Sequence, residues 1–182
     1  MEIRDLHDVG SLVSDTAKML SIAFMTDGQP GAWGTLPEAE AEVRKSLGEG
    51  HLSLIALEGE AVIAWVGGIR HYGGYTWELH PLAVHPDWQR RGVGRALVAT
   101  LEERVAAAGG RNIWLTTDDD IGATTIAGRD IYPEVLEHLA SMQDRGSRIS
   151  FYLDIGYMVT GCIPDAYAPG HHELVFCKRL AV

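Results

Sequence analysis

Apolar positions along the chain switch between a period near 3.6 and a period of 2, and the switches divide it into elements. Residues 2–6 read as a short strand, and Val9, Leu12, Val13, Ala17, Leu20 and Phe24 then recur at helical spacing behind Asp8 as a cap. Residues 26–37 collect glycine, proline and Trp33, the composition of a loop long enough to be functional, before Pro37 opens a second helix that passes Val43 and Leu47 and stops at Gly48. Two strands, 51–57 and 61–70, join at the tight hairpin Glu58-Gly59-Glu60, and Gly73-Gly74 leads into a third at 75–84. After a glycine-rich turn, Val93, Ala96, Leu97, Leu101 and Val105 share a helical face that ends at Gly109-Gly110, and residues 112–117 return as a strand. A strand, a crossover helix and a strand predict a parallel pair. The remainder reads as a helix around 132–142, a short helix at 150–155 and closing strands near 158–163 and 173–179. The predicted fold is α/β (α+β), a mixed and mostly antiparallel sheet flanked by helices.

Composition narrows the partners. With 182 residues, 46% of them hydrophobic, the chain suits a single domain spanning 1–182. A net charge of −10 argues against nucleic acid and favours a cationic ligand. Cys162 and Cys177 lack any Cys-x-x-Cys spacing and read as small apolar core residues in a reducing cytoplasm. The first five residues carry no apolar signal region, and no stretch approaches the roughly 18 apolar residues of a membrane span. The expectation is a soluble cytoplasmic protein with no membrane partner. Metal is not expected either: His171-His172-Glu173 is the only dense ligand cluster, and adjacent histidines on a strand face opposite ways.

The chemistry starts at Trp88-Gln89-Arg90-Arg91-Gly92-Val93-Gly94-Arg95-Ala96-Leu97, where a strand ends, a basic glycine turn follows and a helix begins. Gly92 and Gly94 lack Cβ, so backbone N–H groups can crowd against a phosphate while the helix directs its positive end to the same place. A mononucleotide loop would end in Gly-Lys-Ser or Gly-Lys-Thr, and a dinucleotide fingerprint would need a small residue where Leu97 stands. The plainer alternative is a glycine turn whose arginines face solvent.

The Gln-x-x-Gly-x-Gly spacing from Gln89 to Gly94, after the strand Leu79-His80-Pro81-Leu82-Ala83-Val84, resembles the pyrophosphate-binding signature of the GNAT acetyltransferases, and the element order resembles theirs. The resemblance implies acetyl-coenzyme A as co-substrate, held at Gln89, Arg90, Arg91, Gly92, Val93, Gly94 and Arg95, with its pantetheine arm along Leu82, Ala83 and Val84 and with Thr117 also in contact. Acyl transfer to an amine needs a base, oxyanion donors and an acid for the departing thiolate. Glu78 on the strand before the pantetheine segment suits the base, directly or through water; a solvated edge glutamate is the alternative. His80 shares its face by the two-residue period and could relay a proton or position substrate, or simply pack. Pro81 removes a ladder donor and favours a bulge that would free the amides of Leu82 to Val84. Tyr152, in Phe-Tyr-x-x-x-Gly-Tyr, resembles the GNAT tyrosine placed near the coenzyme sulfur, and Tyr157 is expected to pack.

Trp77-Glu78-Leu79-His80-Pro81-Leu82, Leu115-Thr116-Thr117-Asp118-Asp119 and Phe151-Tyr152 together resemble the chromosomal aminoglycoside 6'-N-acetyltransferases, over roughly residue 62 to the C-terminus. This implies acetylation of the 6'-amine of antibiotics such as kanamycin or tobramycin, usually by a homodimer, with Glu78 and His80 at the amine, Tyr152 at the thiol, and Tyr72 and Trp77 at the sugar. Asp118, Asp119 and Asp120 would present carboxylates to a polycation, or form a solvated turn. The chain departs from that family at Ile121-Gly122, where an acidic residue is expected, and in its amino-terminal tryptophan motif, for which Trp33 is the substitute. Two other readings stay open: acetylation of another amine, such as a polyamine or a protein N-terminus, and a non-catalytic coenzyme A binding module.

Overall fold

A computed structural model describes residues 1–25, 29, 31–119, 122–146 and 148–180, which divide into two compact units. The first, Met1–Arg111 with Leu180, contains β1 (Glu2–Asp5), α1 (Val13–Ala23), α2 (Leu36–Lys45), β2 (His51–Glu58), β3 (Ala61–His71), β4 (Thr76–Val84) and α3 (Val93–Ala107). Its strands are antiparallel in the order β1-β2-β3-β4, with Ile3 opposite Ala56, Ile55 opposite Trp65 and Trp65 opposite Ala83. The β2–β3 hairpin closes where Glu58 faces Ala61, and Gly59 takes the left-handed conformation this turn requires (φ 60°).

α1 packs on β3, β4 and α2, while α3 packs on β2, β3 and β4. The α1 side buries Leu6, Val13, Ala17, Leu20, Val43, Ile55 and Trp65, each buried Leu, Val or Ile contributing about 1.5–3 kcal/mol. The Trp65 indole is satisfied inside this core: Nε1 donates to Ser53 Oγ (2.9 Å), which lies 2.9 Å from Ser46 Oγ, and Ser46 in turn donates to the Val43 carbonyl (2.7 Å).

Two helix starts differ from the pattern. Asp5, not Asp8, caps the first segment by accepting from the His7 amide (3.0 Å); residues 6–12 form a 3₁₀ stretch interrupted at Val9 (φ −130°), so the α-helix begins only at Val13. α2 opens at Leu36 through a reciprocal capping box between Thr35 and Glu38, with Pro37 in its first turn, and it ends at Lys45 instead of Gly48.

The second unit, Asn112–Arg179, holds β5 (Asn112–Asp118), α4 (Val135–Ala140), α5 (Arg148–Asp154), β6 (Met158–Ala168) and β7 (His171–Arg179). Its strands are antiparallel in the order β5-β7-β6. β6 runs five residues past its expected end at Ile163, because the pairing shifts register between Ile163 and Ala168 and resumes where Ala168 faces His171. α4 is shorter than the expected 132–142, and ahead of it Asp130 Oδ1 accepts from the Tyr132 amide (3.0 Å) in a local turn. Cys162 and Cys177 are free, half-buried thiols, Cys162 opposite Leu174 and Cys177 opposite Met158. Among the described residues no helix is long and apolar enough to cross a membrane.

Candidate active site

Burial alternates along β4, with Trp77, Leu79 and Ala83 buried and Glu78, His80, Leu82 and Val84 half-buried; ahead of the bulge at His80-Pro81, Glu78 faces away from Trp77 and Leu79. Trp77, which its motif places at the sugar, is 5% exposed, faces away from Glu78, and donates through Nε1 to the Gly74 carbonyl (3.1 Å). The bulge expected at Pro81 is present. Val66 pairs with Leu82 and Gly68 with Leu79, so His80 and Pro81 together oppose the single residue Gly67. A Cβ on Gly67 would lie 2.2 Å from the His80 carbonyl oxygen, so only glycine lets the bulge form here. Beyond the bulge, Leu82, Ala83 and Val84 return to register with Val66, Trp65 and Ala64 on the β3 edge.

Glu78 and His80 each have a partner from another element. Glu78 Oε2 lies 3.0 Å from His71 Nε2 at the end of β3. An ionised carboxylate can only accept, so Nε2–H donates. His80 Nε2 lies 3.8 Å from Glu42 Oε1 on α2, and the His80 ring meets Trp33 edge-on at 5.7 Å between centroids. Trp33 is itself packed edge-on against Phe24 at 4.8 Å. His80, Trp33, Phe24 and Glu42 thus form one wall of aromatic edges and carboxylate. Tyr72 stands beside His71 (6.3 Å between rings) and is 81% exposed, available to a ligand.

The β4 end and the following turn are tied together. Gln89 Nε2 donates to the Val84 carbonyl (3.1 Å), and His85 Nδ1 accepts from the Asp87 amide (3.3 Å). Gly92 has φ 83° and begins α3, whose first turn carries no side-chain cap and no acidic residue. Its first amides thus have no acceptor within the helix, which suits an anion. Val93 is 4% exposed, so its side chain serves the core and only its backbone faces the turn. Arg91 is held 5.1 Å over the Trp88 ring. Four non-glycine residues adopt the left-handed region among those described, and three of them, Trp33 (φ 55°), Tyr72 (φ 48°) and Arg90 (φ 61°), are residues singled out from the sequence. Each costs about 1–2 kcal/mol relative to ordinary backbone, a pattern typical of binding loops.

In the second unit, Tyr152 on α5 packs against Phe151 (5.1 Å), Tyr157 (5.9 Å) and Phe176 (5.9 Å) yet stays half-buried. Tyr157 is packed, as expected: it is 1% exposed, under the Lys178 ammonium at 5.6 Å. Asp118 ends β5 half-buried, 3.6 Å from His171 Nε2, and Thr117 beside it pairs with Leu174. Asp119 differs from the expectation of a carboxylate open to substrate. It is fully buried, and its Oδ2 accepts from the Thr124 hydroxyl (2.7 Å), which organises the chain that follows. Asp120, Ile121 and part of the 26–37 loop lie outside the described residues. The Tyr167 hydroxyl donates to Glu173, which pushes its pKa up to about 12. Burial, reinforced by Asp119, Asp165 and Glu173, pushes Cys162 up to about 11. Among the described residues no group of three or more His, Cys, Asp or Glu is arranged to hold a metal.

The family model described as "Acetyltransferase (GNAT) family" matches residues 19–127, well over half of the chain. This chain belongs to the GNAT acetyltransferase family. An acetyltransferase of Photorhabdus laumondii is 37% identical over 92 residues, which cover 50% of this chain and 62% of that protein, so the match spans about three-fifths of its length. Among solved structures, an aminoglycoside 6'-N-acetyltransferase complexed with coenzyme A superposes with a TM-score of 0.86 at 26% identity, covering 100% of this chain and 98% of the other. The aminoglycoside 6'-N-acetyltransferase from Enterococcus faecium superposes with a TM-score of 0.88 at 28% identity, again covering 100% and 98%. The expected fold class, a mixed sheet flanked by helices, is that of the GNAT proteins.

The coenzyme A-bound neighbour and the GNAT fold support acetyl-coenzyme A as co-substrate, and the local chemistry fits it. A left-handed glycine, an uncapped helix start and arginines at 90, 91 and 95 suit a pyrophosphate. His71 and Glu42 are the site residues that sequence reasoning missed. His71 becomes visible only through the strand register: Ile69 faces Glu78 and His71 faces Thr76, so His71 is the diagonal same-face neighbour of Glu78. Nothing comparable in the sequence points to Glu42, which reaches His80 only through helix packing.

Proposed function

We propose that this protein is an acetyl-coenzyme A dependent N-acetyltransferase acting on the 6'-amine of an aminoglycoside. One observation carries the reading. β4 offers Glu78 and His80 on a single half-buried face, each beside a titratable partner, and the same strand ends in the Gln89–Gly92 turn that suits a pyrophosphate. Its fit to the neighbouring aminoglycoside enzymes at 26% and 28% identity over the whole chain supports the substrate class.

Bound coenzyme supplies the activated acetyl group. Glu78 takes the proton from the acceptor ammonium, so that the amine can attack. Trp33, His80 and Glu42 form a wall of aromatic and anionic character that suits a cationic sugar ring, and Tyr72 offers a further ring face. Tyr152 is assigned the acid that protonates the departing sulfur, on the strength of its Phe-Tyr-x-x-x-Gly-Tyr setting. Asp118 contributes negative potential, as does the net charge of −10. A homodimeric, cytoplasmic resistance enzyme is part of the same reading.

The experiment is a thiol-release assay with purified protein, acetyl-coenzyme A and three acceptors: kanamycin, spermidine and a peptide with a free N-terminus. Kanamycin is expected to give a kcat/KM at least about tenfold above the others, a difference of about 1.4 kcal/mol in transition-state stabilisation. Preference for spermidine or the peptide would replace the substrate class, and no turnover with intact coenzyme binding would favour a binding module.

A further inference from the structure

We propose that His71 is a positioning residue for Glu78, fixing which carboxylate oxygen receives the acceptor's proton; this rests on Glu78 acting as the base. The bond from Nε2–H to Oε2, at 3.0 Å, is within ordinary hydrogen-bond range, whereas the His80–Glu42 approach at 3.8 Å is too long to be one. Nε2 carries hydrogen in both the imidazolium and one neutral tautomer, so it can donate to Oε2 in either form. With Oε2 engaged, Oε1 is the oxygen left to receive the proton.

The backbone around His71 favours this arrangement. Immediately after it, Tyr72 and Gly73 are both left-handed (φ 48° and 68°), and Arg70 Nη2 donates to the Gly73 carbonyl (2.9 Å), which pins the turn. That turn sets the β3–β4 register, in which His71 lies diagonal to Glu78 on one face. A flexible glutamate side chain gains a fixed orientation from this contact. Misplacement of a catalytic group by even 1 Å can cost about a hundredfold in rate.

The test uses H71A, H71Q and E78Q, with turnover measured on whichever acceptor of the panel reacts fastest and coenzyme A affinity measured separately by calorimetry. H71A is expected to lower kcat about tenfold or more while changing acceptor KM less and leaving coenzyme affinity intact. H71Q, whose side-chain amide can donate to Oε2, is expected to recover most of that loss. A readout free of turnover comes from nitrogen-15 NMR: a hydrogen-bonded His71 imidazole N–H is expected in the wild type and should shift in E78Q. Unchanged kcat in H71A, or equal losses in H71A and H71Q, would overturn the positioning role. If E78Q is inactive while H71A is unaffected, only this inference falls. If E78Q retains turnover, the base assignment falls and the positioning role falls with it.

Discussion

Gly67→Ala tests the link between backbone geometry and the reactive face of β4. The new Cβ would sit 2.2 Å from the His80 carbonyl oxygen and 3.7 Å from Pro81 Cδ, against an ordinary contact beginning near 3.4 Å. The strands must therefore separate by roughly 1.2 Å (3.4 − 2.2) at this point. The obstacle is backbone, so no side-chain rotation relieves it. Overpacking of this kind costs about 1–3 kcal/mol, which for a chain of this size lowers Tm by roughly 2–12 °C. Opening the bulge also shifts His80 away from Trp33 and Glu42, and kcat/KM should fall by about tenfold or more. Thermal denaturation and steady-state acetylation measure the two effects. Gly10→Ala is the control, because its Cβ would meet nothing within 4 Å and its backbone is not left-handed. A Gly67→Ala protein with a Tm within 1 °C of Gly10→Ala and unchanged turnover would refute the argument.

Two further outcomes are expected. Gly92→Ala places a side chain at φ 83° at the start of α3, a strain of about 1–2 kcal/mol, and calorimetry should show coenzyme A binding weakened by about tenfold; unchanged affinity would remove this turn from the coenzyme site. With its pKa pushed up to about 11 by burial and the neighbouring carboxylates, Cys162 should resist iodoacetamide at pH 8, with labelling rising steeply only above about pH 10, as read by peptide mass mapping. The sign follows for stability too: a thiol that keeps its proton above its ordinary 9.0 contributes stability that is complete below pH 9 and lost as pH rises through about 11. Rapid labelling of Cys162 at pH 8 would contradict this.

Much of the fold was legible because its signals are local. Two-residue alternation marked β4, the 3.6 period marked α3, and Gly59 marked the hairpin. Where tertiary contacts decide, the pattern misled. Val9 belongs to an apolar series with helical spacing, yet its backbone leaves the helix and the α-helix starts four residues later. The strand expected to end near Ile163 continues, because β7 resumes the pairing at Ala168 after a register shift. For the candidate site, Glu78, His80 and the Gln89–Gly92 turn could be picked out because each sits in a short motif. His71 and Glu42 could not, since their relation to Glu78 and His80 exists only after the hairpin and α2 have docked. Trp77 and Asp119 show the converse: both lie inside motif segments, but strand alternation turns the indole into the core, and Thr124 holds the carboxylate where solvent cannot reach it.

The central claim is acetyl transfer to one particular amine, and the decisive measurement compares an aminoglycoside bearing a 6'-amine with its counterpart bearing a 6'-hydroxyl, at equal concentration, by thiol release. The account predicts rapid release with the amine and release at the background hydrolysis rate with the hydroxyl compound. Equal rates for the two would contradict it.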